Sequence, residues 1–552
     1  MAVRTTSRLR YVSLALPMLL VGMAFSRVAS ATTVSAPPAS SFFLNGLKGQ
    51  APTTRYYDFV VSERTGSPDG YSKPMLVVNG QWPGPTIEAN QGDRLVVKVT
   101  NQLANNKTTI HYHGLLQNGT QYWDGVQGVS ECGIPPGQSL TYDFPIGTFT
   151  GTTWWHGHFD AQYTDGISGA LIVHNTDPAP AGFPTWDEEV VLQLSDIYHR
   201  SSYSIIADYM AGAQSPLALE TPDSGAINGI GQYGGKGDYF DLELQPNKTY
   251  RLRLINTGSA TDIRFSVDNH ALTVIEADGT LLEPYSVTGV DIVPGQRYSV
   301  LLTTNQAAGP YWMRVELETA MMIPGTNDDI RGVIRYGTTN TSLPKNITDP
   351  GVPGSGLSDL NTTKLAPYTP DLPPARSKFY MSNFTFGLTS TGGVIAYMNG
   401  TSWQPLEGTF SLLEVQKTDG KYAPEGSSVQ SRDQFFITED SIETVDLLLV
   451  NEGPGDHPFH LHGHRPWIMG SGTGTFDGHE LTPANPLRRD TFDIPSQGWM
   501  MIRYISDNPG PWTLHCHNAW HMAVGMLLQL NNLPSKALRM KIPQAILDQC
   551  KV

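Results

Sequence analysis

Residues 510–526 constrain the chain most: Gly-Pro-Trp-Thr-Leu-His-Cys-His-Asn-Ala-Trp-His-Met-Ala-Val-Gly-Met. They set Cys516 between His515 and His517, with His521 and Met526 following closely. A thiolate, two imidazoles and a weak axial thioether are the ligands of an electron-transfer copper. Cys516, His521 and Met526 supply three of these, so the second imidazole comes from elsewhere in the chain. In an extended segment neighbouring side chains point to opposite faces. His515 and His517 are therefore expected to turn away from the metal of Cys516 and face a second centre across the strand. The backbone between them becomes a path for electrons.

Three further groups of histidines are present: His111-Tyr112-His113, His156-Gly157-His158, and His457-Pro458-Phe459-His460-Leu461-His462-Gly463-His464. One His-x-His pair is ordinary in a solvated or buried strand, but four around one Cys are not. These motifs resemble those of the multicopper oxidases. Over nearly the whole chain beyond its first segment, they are most similar in order and spacing to fungal laccases and laccase-like pigment oxidases.

The resemblance implies an all-β fold of three consecutive cupredoxin-like Greek-key β-sandwich domains, holding four copper ions. Carried over residue by residue, the type 1 copper takes His457, Cys516 and His521, with Met526 axial. The type 2 copper takes His111 and His460. The two type 3 coppers share His113, His156, His158, His462, His515 and His517, with the division between them left open. Asp124, in Tyr122-Trp123-Asp124-Gly125, matches a family carboxylate at the trinuclear site that serves proton delivery; its plainer reading is a turn residue before Gly. Asp196, in Leu194-Ser195-Asp196-Ile197-Tyr198-His199, matches an acid that touches the phenol or, as Glu, binds ferrous iron; an ordinary loop Asp is the alternative. The ferroxidase branch also carries an Asp four residues before the type 1 His, where this chain has Gly453.

A repeat is legible without the resemblance. The runs ending at Asn101, Asn256 and Asn451 share a strand-then-Asn form. The turns Pro136-Gly137-Gln138, Pro294-Gly295-Gln296 and Ser496-Gln497-Gly498 follow them, and then the stretches from Gly151, Gly309 and Gly510. A repeat of this kind is read before other features, and Greek-key sandwiches suit the short strands. The middle copy has Met313-Arg314-Val315 where the others carry His, so it reads as a spacer and part of the substrate cleft. The expected divisions are domain 1 at 54–177, domain 2 at 183–340, a linker at 341–376 and domain 3 at 377–552.

Residues 1–31 run from Arg4, Arg8 and Arg10 through an apolar stretch to Ala29-Ser30-Ala31, the order of a secretory signal peptide. Eight Asn-x-Ser/Thr sites, at Asn106, Asn118, Asn247, Asn340, Asn346, Asn361, Asn383 and Asn399, suit an exported glycoprotein. The formal charge of −15 argues against nucleic acid or anionic membrane as partners. With Cys516 on copper, Cys132 and Cys550 are left to pair, and in similar laccases the matching pair ties the chain end to domain 1. The expectation is a secreted, monomeric laccase that oxidises small phenols one electron at a time and reduces O2 to water. Ferroxidase or bilirubin- and ascorbate-type oxidase are the alternatives, with a non-catalytic metal-binding protein behind them.

Overall fold

A computed structural model describes residues 33–44, 46–47, 49–175, 179–318, 322–345, 364–422, 431–432 and 434–552. The signal segment, Asp177, Asn346, Asn361 and much of the linker region lie outside them. The described strands form six sheets, and buried side chains join these in pairs. Phe59, Val97 and Tyr142 of one sheet share a core with Ile87, Trp155 and Leu171 of another. Leu252 and Val300 meet Phe265 and Val315, and Leu447 and Ile502 meet Phe459 and Leu514. Three β-sandwiches result, each with its own apolar interior.

Each sandwich repeats one plan. Thr54–Gly66 pairs parallel to Arg94–Asn101, which pairs antiparallel to Ser139–Pro145. The same triplet recurs as Glu188–Ile197, Thr249–Asn256 and Arg297–Thr303, and as Lys378–Leu388, Thr444–Asn451 and Gly498–Ile505.

The asparagine ending the central strand explains its recurrence. Asn101 Nδ2 donates to Asn106 O and Ile134 O, both at 2.8 Å, and its Oδ1 accepts from Leu103 N. Asn256 bonds Thr261 O, Ile292 O and Gly258 N in the same manner, and Asn451 bonds Gly455 O, Pro495 O and Gly453 N. One buried amide thus satisfies three backbone groups at each corner, which a buried chain must do somehow.

Cys132 and Cys550 form a disulfide across 418 residues, tying the chain end to the first sandwich. Lys107 Nζ reinforces it by donating to Val552 O at 2.9 Å and Gln549 O at 3.2 Å. Among the described residues no helix is long and apolar enough to cross a membrane.

Beside this disulfide, fully buried Glu131 accepts from Tyr142 Oη at 2.6 Å. Burial raises its carboxyl to about 7 from an ordinary 4.5. Between those values the native state keeps a proton that the unfolded chain has released, so stability falls as pH rises through the window. Glu131→Gln is expected to match the parent near pH 4 and to exceed it above pH 7 by roughly 3 kcal/mol. Unfolding midpoints taken across that range check it, and a constant difference between the two proteins contradicts it.

Candidate metal centres

In the third sandwich Gly510–Cys516 lies between Leu527–Asn532 and His457–Leu461. The register pairs Phe459 with Cys516 and His460 with His515. Residues directly opposite share a face, and so do residues two apart. Cys516 therefore shares its face with His457, while His515 shares the other with His460 and His462.

His521 returns to the Cys516 face on the short helix Ala519–Ala523, whose N-cap Asn518 accepts from Trp520 N at 3.0 Å and His521 N at 3.4 Å. Cys516 Sγ stands 3.7 Å from His457 Nδ1 and 3.6 Å from His521 Nδ1, and those nitrogens are 3.1 Å apart. Their other nitrogens fix the protons. His521 Nε2 donates to Glu220 Oε2 at 3.2 Å, and His457 Nε2 to Pro454 O at 3.3 Å. Both Nδ1 atoms are then bare lone pairs turned on each other beside a buried thiol, an arrangement that a cation relieves. Burial pushes the Cys516 thiol up, so its thiolate also needs a positive partner. Met526 is fully buried and accepts from Cys516 N at 3.1 Å through its carbonyl.

Eight buried imidazoles gather between the first and third sandwiches. His111 pairs with His156 in register. Across the junction the His113 ring stacks on His460 at 3.7 Å, and His111 lies 4.1 Å from His462. Among the six histidines expected to share a pair of metals, His158 Nε2 and His462 Nε2 approach His515 Nε2 at 3.4 and 3.0 Å. The His113, His156 and His517 rings lie 5.2–5.8 Å apart. His111 and His460 remain, with ring centres 5.8 Å apart.

Acceptors behind the rings orient them. Nδ1 donates to Asp124 O from His111 (2.7 Å), to Asp490 O from His460 (3.0 Å), to Gly157 O from His156 (3.1 Å) and to Cys516 O from His515 (2.8 Å). His462 Nδ1 donates to the Asp124 carboxylate at 2.9 Å. His113 is reversed, with Nε2 to Asp490 Oδ1 at 3.1 Å.

Lone pairs thus face inward, and His462 and His515 point two of them at each other across 3.0 Å. Nε2 of His111, His156 and His460, Nδ1 of His113 and both nitrogens of His517 are buried without a hydrogen-bond partner among the described residues. Burial holds His113, His156, His158, His462 and His517 well below the usual imidazole range, and His515 at about 3. Neutral rings with converging lone pairs fit metal ions. Acceptors that set the tautomer from behind are typical of such sites.

Asp124 holds one ring through its carbonyl and another through its carboxylate. Asp196 is placed differently from an acid facing a substrate. It is 4% exposed, and its carboxylate accepts from Ser259, Ala260 and Thr261 N at 2.8, 2.9 and 3.1 Å. His464 donates to His462 O and accepts from Asn532 Nδ2, so it buttresses the strand.

Sequence reasoning missed three groups here: Glu220 on the outer edge of His521, Asp490 behind His113 and His460, and Arg297 on Asp490. None belongs to a local motif of the metal-binding type.

This fold and these buried ligand sets define a copper protein of three cupredoxin-type sandwiches. Residues 60–178, 188–339 and 407–536 each match the multicopper oxidases, and the chain belongs to that family of copper-dependent oxidoreductases, which use small substrates and O2. It is 33% identical to Laccase-1 of Cryptococcus neoformans over 533 residues, covering 90% of this chain and 83% of that protein. The laccase of Botrytis aclada superposes with a TM-score of 0.82 at 32% identity, covering 91% of this chain and 92% of that one. Fet3p, a multicopper oxidase that functions in iron import, superposes with a TM-score of 0.80 at 28% identity, covering 90% and 94%.

Proposed function

We propose that the chain is a secreted laccase that oxidises phenols at a type 1 copper held by His457, Cys516, His521 and Met526. The eight histidines gathered between the first and third sandwiches would hold a type 2 copper (His111, His460) and two type 3 coppers (His158, His462, His515; His113, His156, His517). These coppers, when bound, accept single electrons and pass four to O2. Four phenols release four electrons and four protons, the number that converts O2 to two waters.

The chain's own residues supply the rest. The observation carrying the substrate assignment is the outer edge of His521, where Nε2 meets Glu220 Oε2 at 3.2 Å and the Phe386 ring stands 4.9 Å away. The Glu220 carboxylate accepts the phenol proton as the electron leaves, and Phe386 gives the aromatic ring an apolar wall. Tyr209 Oη, 2.7 Å from Glu220 Oε1, fixes the carboxylate. Asp124 orients His111 and His462, and lies where a proton for reduced oxygen is needed. Secretion rests on the leader and the sequons, and the formal net charge of −15 suits a monomer.

Iron oxidation is the second reading, favoured by the same Glu220 and by the likeness to Fet3p. A dication prefers several carboxylates, whereas at Gly453 an added Cβ would meet Phe386 and Asn451 at ordinary contact distances of 3.5 Å. Steady-state kcat/KM for a p-diphenol and for Fe(II) decides between the readings. The phenol is expected to be the better substrate, Glu220→Gln to lower its kcat/KM about 100-fold, and Gly453→Asp to raise the Fe(II) rate. A parent enzyme faster on Fe(II) than on phenol overturns the laccase reading.

A further inference from the structure

The middle sandwich carries none of the metal-facing histidines, yet one of its corners reaches them. That corner is the second copy of the repeated turn, Pro294-Gly295-Gln296, followed by Arg297. In the first copy the turn faces solvent: a Cβ built on Gly137 meets nothing within 4 Å. In the middle copy a Cβ on Gly295 would stand 2.8 Å from His517 Cδ2 and 3.0 Å from its Cγ and Nε2. Gly295 also has φ +85°, so a side chain there is doubly excluded.

Arg297 extends the contact. It is 0% exposed. Its Nη1 and Nη2 grip the Asp490 carboxylate at 2.6 and 2.7 Å, a paired geometry that fixes both planes. Nε donates to Thr152 O at 3.1 Å, on the strand that ends at His156. Asp490 in turn accepts from His113 through its carboxylate and from His460 through its carbonyl. One guanidinium therefore links a histidine-bearing strand of the first sandwich to the acid that holds histidines from both the first and the third. The strand partners at this corner are Thr100 with Ser139, Ile255 with Arg297 and Val450 with Trp499, so among the three copies only the middle one supplies a cation here.

We propose that Arg297 is a positioning residue for the trinuclear centre: with Gly295 beside it, it sets the spacing between the histidines of the two flanking sandwiches. This rests on the trinuclear reading above. The middle domain is on this account a gauge for a site whose ligands it does not provide.

The test uses the copper-loaded, full-length enzyme. Arg297→Met, Arg297→Lys and Gly295→Ala are compared with Arg314→Met, which breaks another buried pair, with Asp268, inside the middle sandwich. Copper per chain, the type 2 EPR signal and the visible thiolate-copper band are followed during dialysis against a chelator. The Arg297 and Gly295 variants are expected to lose type 2 and type 3 copper about 10- to 100-fold more readily than the parent while keeping the visible band. Arg314→Met is expected to keep both. Two results overturn the inference alone: Arg297→Lys and Gly295→Ala with parental EPR spectra and copper retention, or Arg314→Met losing trinuclear copper to the same extent. A copper-loaded parent with no type 2 signal overturns the trinuclear reading, and this inference with it.

Discussion

Cys516→Ser is expected to remove the visible band and to lower phenol-dependent O2 uptake by more than about 1,000-fold, some 4 kcal/mol of barrier, while the type 2 EPR signal persists. The hydroxyl does not ionise in this buried position and offers a hard oxygen where a redox copper takes a soft thiolate. The eight inward-facing histidines do not touch Sγ, because the register through Phe459 places it on the opposite face. Entry of electrons is lost and the oxygen site survives. Loss of both signals together would instead mean that the two sites do not bind copper independently, contrary to this account.

Asp124→Asn is expected to reduce kcat about 10- to 100-fold with little change in KM for the phenol. The residue accepts from His111 through its carbonyl and from His462 through its carboxylate. The substitution removes a charge behind His462, loosens its tautomer and takes away a group able to hold a proton near reduced oxygen. On the proposed reading phenol docks at His521, to which Asp124 makes no hydrogen bond, so substrate affinity is expected to be spared. Kinetics with phenol and O2 varied in turn check this; a change confined to phenol KM contradicts it.

The sequence revealed what depends on short spacing. Alternation along a strand was enough to turn His515 and His517 away from Cys516, and the structure brings His515 to His158 and His462. The recurring strand-then-Asn form identified three units before any geometry was known, and each Asn proves to bind three backbone groups. Partners brought together by folding left no such trace. Arg297 meets Asp490 across 193 positions, and Glu220 reaches His521 from another sandwich. The grouping of the six remaining histidines depends on how two sandwiches face each other, so spacing left it open.

Asp196 shows the limit from the other side. It lies where a family acid is expected, but three amides of residues 259–261 occupy its carboxylate. The middle unit likewise reads as a spacer from its missing histidines. The contacts of Gly295 and Arg297 tie it to the eight-histidine cluster, and Glu220 ties it to His521.

The most direct test of the central claim is an anaerobic reductive titration of the copper-loaded protein, followed by its visible absorption. One wire-linked set of four coppers predicts uptake of four electrons per chain, bleaching of the thiolate-copper band, and full return of the band on admitting O2 without released peroxide. Uptake of a single electron, or a bleached band that O2 does not restore, would show that the Cys516 site and the eight-histidine cluster do not work as one oxidase.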